Sequence, residues 1–366
     1  MFLYESQVSA MFNETNSLAQ LGWRPFYSQQ LTLEDLYEGF PARVAAVQRS
    51  VLTVLAESGE HQVTLPQALR PNSETPAVTV GDWVLVRTEK SQVMRMLDRQ
   101  SLIARMAAGS EPMPQSIAAN VDTLFVVTSC NGDFNPSRLE RYLAVAYEAR
   151  VLPVIILSKV DTCADPQPYI TAAQSASKDV PVITVNCTDS EGSLASARPW
   201  LDEGQTVAFV GSSGVGKSTL INSLLGAGRQ ETQEIRQGDE KGRHTTTARC
   251  LLRAPCGAWL IDTPGMRELK IGAVQHGLDR TFVDIESLAI ECRFRDCTHR
   301  QEAGCAVRRA LEDGRLDSRR LESYLKLVRE AERAASPPWR LHQERRQFGR
   351  LARAAQRRRR KETGRD

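Results

Sequence analysis

A chain of 366 residues with 41% apolar and 25% charged side chains has the composition of a globular protein with two or three cores, which excludes a disordered or fibrous chain. The first thirty residues lack the basic start and apolar centre of a secretory leader, and the longest apolar run, 151–157, is far too short to cross a bilayer, so a cytoplasmic protein with no membrane partner is expected. The net charge of +3 is uneven: residues 340–366 carry eleven Lys or Arg against Glu344, Glu362 and Asp366, a net of +8 that leaves −5 for residues 1–339.

Residues 1–36 read as a polar, irregular extension whose role is illegible, apart from an aromatic patch at Trp23, Phe26 and Tyr27 suited to docking on a neighbour. Residues 37–108 predict a small barrel or sandwich. Stretches rich in Val, Leu and Thr at 51–55, 62–65, 83–87 and 92–97 are separated by turn signals at Ser58-Gly59 and Gly81-Asp82. A five-stranded OB barrel and an unspecialised barrel both satisfy that spacing. After a connection at 109–116, residues 117–272 alternate strands with amphipathic helices, the α/β signature. Strands are expected at 122–129, 151–157, 182–185 and 207–210, with a helix at 137–149 presenting Leu139, Leu143 and Ala146 on one face. Residues 250–252 and 259–261 predict a hairpin turning at 255–257.

The strongest chemical signal is Gly211-Ser212-Ser213-Gly214-Val215-Gly216-Lys217-Ser218, a G-x-x-x-x-G-K-[ST] run between a strand and a helix, with Thr219 extending the binding segment. Glycines let the backbone curl so that its N–H groups point at phosphate, and the helix start adds positive potential. Lys217 is expected to reach the β and γ oxygens, and Ser218 to place a hydroxyl on Mg²⁺. Downstream, Asp262-Thr-Pro-Gly265 ends an apolar strand where P-loop enzymes keep a magnesium-side carboxylate, with the Gly265 N–H facing the γ-phosphate. Between them, the polar stretch 238–247 is placed to close over the metal. One of Thr245, Thr246 and Thr247 should ligate it. Thr246 is favoured, although spacing alone does not separate the three.

The base is read from Ser158-Lys159-Val160-Asp161, which follows a buried strand. In the Asn/Thr-Lys-x-Asp element of GTPases the aspartate accepts from guanine N1–H and the exocyclic amine, a donor pair that adenine lacks. Asp161 would therefore set specificity, with the Lys159 stem along the ring. Ser158 stands where Asn is usual. In isolation such a tetrapeptide is more often a surface turn. The next strand ends at Asn186-Cys187, in the position of a guanine O6 contact. These elements precede the P-loop, so the motif order is circularly permuted, which a sheet with surface termini tolerates. The position after Asp-x-x-Gly, where a glutamine would orient water, is Met266. His244 is the candidate catalytic group beside Lys217, a lone loop histidine being equally often only solvated or paired.

Of eight cysteines, Cys130, Cys163, Cys187, Cys250 and Cys256 are scattered, while Cys292, Cys297 and Cys305 cluster with His299. Three thiolates and one imidazole make a closed tetrahedral zinc site with no open catalytic position. It sits in a helical domain, 273–339, with one helix expected over 306–335. The basic tail, 340–366, is either solvated or a contact for nucleic-acid phosphate.

Together these residues resemble the ribosome small-subunit-dependent GTPase A family (RsgA, also called YjeQ). The resemblance rests on Ala119-Asn-Val-Asp122, 158–161, 211–219, 242–247, 262–265, Cys-Arg-Phe-Arg-Asp-Cys-Thr-His at 292–299 and Gly304-Cys-Ala-Val307. It implies a multidomain protein: an N-terminal OB barrel, a permuted α/β GTPase domain and a C-terminal α-helical zinc domain. It also implies a cytoplasmic GTP hydrolase acting late in small-subunit maturation, stimulated by that subunit and its rRNA. A monomer using GTP/GDP, Zn²⁺ and Mg²⁺ is expected. Residues 1–36 and Ser158 depart from the family pattern. Two other readings are a P-loop ATPase or kinase with a structural zinc module, and a non-hydrolysing RNA-binding adaptor.

Overall fold

The computed structural model describes residues 17–48, 51–69, 77–106, 114–186, 190–226, 250–262, 272 and 274–335. Two short helices, α1 (Pro25–Ser28) and α2 (Leu33–Glu38), lead into β1 (Gly39–Gln48), β2 (Val51–Ala56), β3 (Gly59–Thr64), β4 (Trp83–Arg87) and β5 (Gln92–Met96). β1 pairs with both β2 and β4, and β3 meets β5 in parallel at Thr64 and Gln92, which closes the ring β1-β2-β3-β5-β4. This closed five-stranded barrel fits the OB fold. Its interior is Val44, Leu52, Val54, Val63, Val84, Val86 and Val93. The sequence expectation lacked β1, because Pro41 and the fully buried Arg43 interrupt its apolar pattern.

The extension is not detached from this barrel. Tyr27 is buried, and the Trp23 ring stands edge-on to Trp83 of β4 at 4.7 Å. Past the barrel, β6 (Leu102–Met106) and β7 (Pro114–Ala119) pair with each other, so residues 114–116 are a strand rather than the expected connection.

The second half of the sheet comprises β8 (Thr123–Ser129), β9 (Leu152–Ser158), β10 (Val182–Val185), β11 (Thr206–Val210), β12 (Cys250–Arg253) and β13 (Trp259–Asp262). Their spatial order is β10-β9-β8-β11-β13-β12, parallel except for β12. Helices α3 (Pro136–Glu148), α4 (Gln167–Ala176), α5 (Ser190–Ala197) and α6 (Lys217–Leu225) connect them. Both faces are covered, so alternate residues pack in opposite directions. Leu124 and Val126 join a core with Leu139, Leu143 and Ala146 of α3, whereas Phe125 and Val127 join one with Leu220, Ile221 and Leu224 of α6. Barrel and α/β sheet form one continuous sheet, joined where Ala46 of β1 pairs with Cys250 of β12.

The C-terminal helices are α7 (Gln275–Thr281), α8 (Val283–Ala289), α9 (Ala306–Glu312) and α10 (Ser318–Ala335). Leu278, Phe282, Ile285, Val307, Leu321 and Leu327 extend the core on the α3 face, so this region shares the GTPase core rather than building its own. The single helix expected over 306–335 is broken. Gly314, at φ 69°, ends α9: Gly314 N donates to Leu311 O at 3.1 Å and Arg315 N to Ala310 O at 2.8 Å, a Schellman termination. Among the described residues no helix is long and apolar enough to cross a membrane. The basic tail, 340–366, lies outside the described residues.

Candidate nucleotide site and metal centre

In a parallel sheet every strand delivers its following loop to the same edge, and ligands bind at that carboxyl edge where the strand order reverses. Here β8, β9, β10, β11 and β13 all point one way, and the reversal lies at β8 and β11. The residues from two distant parts of the sequence therefore converge: Ser158, Lys159, Val160 and Asp161 after β9, Asn186 after β10, and Gly211 to Thr219 after β11.

The P-loop turns sharply as it leaves β11. Gly211 has φ 151°, and a Cβ there would lie 2.1 Å from Val127 O of β8, so only glycine fits. Val215 is buried and anchors the loop, Ser213 and Gly214 are exposed, and Gly216, at φ 93°, starts α6. Lys217 Nζ reaches back across the loop to donate to Gly211 O at 2.7 Å and Ser212 O at 2.5 Å. Ser218 and Thr219 are exposed at the helix start, where unpaired N–H groups favour an anion.

Ser158, wholly buried, ties the 158–161 segment to the 211–219 loop. Its Oγ lies 2.6 Å from Val215 O and 3.1 Å from Thr128 O, and its single proton goes to one carbonyl at a time. Lys159 adopts a left-handed conformation, φ 58°, which turns the chain so that Asp161 is exposed at the edge. Asp262 terminates β13, its backbone paired with Cys250. The Asp262 side chain, Cys187, His244, Thr245, Thr246, Thr247, Gly265 and Met266 lie outside the described residues.

The four expected metal ligands do come together. Cys292, Cys297, His299 and Cys305 place their ligand atoms within 4.8 Å of one another. His299 Nδ1 is 3.7 Å from Cys292 Sγ and 3.5 Å from Cys305 Sγ, and the two sulfurs are 3.9 Å apart. A tetrahedron with metal–sulfur bonds near 2.3 Å has edges of about 3.8 Å, so the cluster fits a metal of zinc's size. His299 takes φ 59° to aim its ring inward, and Cys305 caps α9, accepting from Arg308 N at 3.5 Å. Burial pushes the imidazole down, toward the neutral form a metal needs.

Sequence reasoning missed one group and the structural role of another. Arg138, at the start of α3, contacts Ser212 of the P-loop. At the opposite edge, the Asn120 and Asp122 side chains lock elements together. Asn120 Nδ2 donates to Gly81 O at 3.0 Å, Thr206 N donates to Asp122 Oδ2 at 2.8 Å, and Arg24 pairs with Asp122 at 2.6 Å. A motif counted within the nucleotide domain is thus partly a joint to the barrel.

Comparison with known proteins agrees with this geometry. The family described as RsgA GTPase matches residues 96–272. A protein named small ribosomal subunit biogenesis GTPase RsgA 2 from Vibrio vulnificus is 50% identical over 314 residues, 86% of this chain and 88% of that one. A protein of the same name from Vibrio parahaemolyticus is 48% identical over 343 residues, 94% of each chain. Among solved structures, YjeQ from Thermotoga maritima has the same fold, with TM-score 0.59 and 23% identity over 80% of this chain and 98% of that one. YloQ, a circularly permuted GTPase, gives 0.57 and 25% over 82% and 98%. The ATPase, kinase and adaptor readings are not favoured, and the chain belongs to the RsgA family of circularly permuted GTPases, enzymes that hydrolyse GTP.

Proposed function

We propose that this GTPase acts in biogenesis of the small ribosomal subunit, as the names of its relatives say of them, and that the subunit stimulates its hydrolysis. One observation carries the assignment of the site: Ser158 Oγ reaches Val215 O at 2.6 Å, so the segment placed to read guanine is fastened to the loop placed to hold phosphate. Ser158 to Asp161, Asn186 and Cys187 would hold the base, and Gly211 to Thr219 with Gly265 the phosphates. Ser218, Thr246 and Asp262 would bind Mg²⁺, which when bound neutralises charge on the β and γ oxygens. Lys217 donates to those oxygens, and His244 orients the attacking water in place of the glutamine that Met266 replaces.

The metal at Cys292, Cys297, His299 and Cys305 is zinc, structural because all four positions are filled by protein. The working unit is a cytoplasmic monomer that contacts rRNA, its tail at 340–366 meeting backbone phosphate. The test is hydrolysis of GTP and ATP by the full chain, with and without purified small subunits. GTP should be preferred by several orders of magnitude, and Asp161→Asn should abolish that preference. Equal use of ATP, or no stimulation by subunits, would sink the reading.

A further inference from the structure

Beyond the residues assigned above, a second cation reaches the phosphate side of the site. Asn135 Oδ1 caps α3 by accepting from Arg138 N at 3.1 Å. The preceding loop is fixed by Asn131, whose Oδ1 accepts from Ser129 Oγ at 2.9 Å and Asp133 N at 3.0 Å. The Arg138 backbone is therefore set independently of its side chain. That side chain crosses from α3 to the P-loop, where Nη1 donates to Ser212 Oγ.

Ser212 is also where Lys217 Nζ rests, 2.5 Å from the carbonyl oxygen. The P-loop lysine serves the β and γ oxygens, so Arg138 stands at that same end of the loop. Two cations meeting at one residue call for an anion. The carboxylate near Arg138, Asp133, is 3.4 Å away and half exposed, which screens it. All its described side-chain hydrogen bonds use Nη1, one corner of a rigid guanidinium fork that carries five donors. With 35% of the side chain exposed, the group is open to a ligand in the cleft.

The helix that carries it is immobilised. Two and three residues on, the fully buried Glu140 accepts from Arg319 at 3.1 Å and Arg320 at 3.0 Å of α10, and Arg141 pairs with Glu330 at 2.7 Å. A donor held this way loses little entropy when charge develops beside it, which is the condition for electrostatic catalysis.

We propose that Arg138 is a catalytic residue of this GTPase, an arginine supplied in cis that contacts the terminal phosphate of GTP. This rests on the GTPase site described above. As water's oxygen bonds to the γ-phosphorus and the bond to the β–γ bridging oxygen breaks, negative charge gathers on that oxygen, and the electron pair leaves with GDP. The water proton passes to the departing phosphate. The Arg138 fork donates to the oxygens on which this charge appears.

The experiment uses the full chain and its Arg138→Ala and Arg138→Lys variants, with titrations of GDP and a non-hydrolysable GTP analogue and single-turnover hydrolysis. In the alanine variant, hydrolysis should fall by about 100-fold or more. Affinity for the analogue should fall at least about tenfold relative to GDP, whose binding stays near wild type. The lysine variant, a point charge without the fork, should lie between. Wild-type turnover in the alanine variant overturns the proposal, as does an equal loss of GDP and analogue, which marks a residue that only shapes the loop. If the alanine variant does not fold, the lysine variant decides, and a wild-type rate there is the refuting result. Failure of the wild-type chain to prefer GTP over ATP is a separate outcome that overturns the underlying assignment, and this one with it.

Discussion

A single hydroxyl on Ser158 serves two buried carbonyls, Val215 O and Thr128 O. Replacing it with alanine removes the one donor these carbonyls share, at a cost of about 1–3 kcal/mol. Because one of them belongs to the P-loop, Ser158→Ala should weaken GTP by about tenfold in an equilibrium titration, and unchanged affinity would show that the loops are held by other means. Asp35 offers a pH test remote from the site. Its carboxylate pairs with Arg95 at 2.7 Å and accepts from Thr32 N, and these donors pull its pKa down to about 2. A folded-state value below the unfolded one stabilises the protein above the unfolded pKa, and that contribution disappears as pH falls toward 2. Denaturation midpoints of wild type and Asp35→Asn should therefore differ at pH 6 and converge near pH 2. That 211–219 and 158–161 are loops following buried strands was legible in the sequence, because glycine or polar turn residues end each apolar run. Arg138 was not, because a first-turn arginine on a helix looks like any solvated cation until the sheet order places β8 beside β11.

Helix α3 is the element on which most contacts turn. Its N-terminus meets the P-loop, its middle is clamped by α10, and near its end Gly277 of α7 packs so closely that a Cβ would lie 1.9 Å from Ala144 O. Gly277→Ala must push α7 off α3, and a loss of more than about 2 kcal/mol is expected in thermal or denaturant unfolding. The proposed metal centre would be a separate local staple. Chelation or Cys297→Ser should raise amide exchange across 292–305 while leaving GDP affinity within about threefold of wild type, since the cluster lies between α8 and α9 and not in the loops after β9, β10 and β11. A collapse of GDP binding on chelation would contradict that independence. The break between α9 and α10 went unread because apolar spacing runs on through it. The punctuation was Gly314, with Asp317 capping the next helix by accepting from Arg319 N at 3.0 Å.

Across the whole molecule, Arg43 joins three regions. From β1 its Nη1 donates to Leu21 O at 2.6 Å, and Nη2 donates to Thr206 Oγ1 at 2.6 Å at the start of β11. Burial pushes its pKa down to about 10, so it remains charged at neutral pH. Arg43→Met removes those donors and leaves buried acceptors unpaired. A fall in stability of about 2–3 kcal/mol should follow, with the 17–36 segment becoming sensitive to protease. Retention of wild-type stability would mean that the aromatic contacts of Trp23 and Tyr27 suffice. Such a joint was invisible to sequence reasoning, which placed no strand at Arg43.

The permuted order also governs what a growing polypeptide can do. Translation delivers β8, β9 and β10, with the loop proposed to read guanine, before β11, which must then insert beside β8 in the middle of the sheet, and β13 follows later still. A nascent chain stopped before residue 206 would carry the proposed base-reading loop without the 211–219 loop proposed to cradle phosphate, so this enzyme should remain nucleotide-free on the ribosome that makes it until most of its length has emerged.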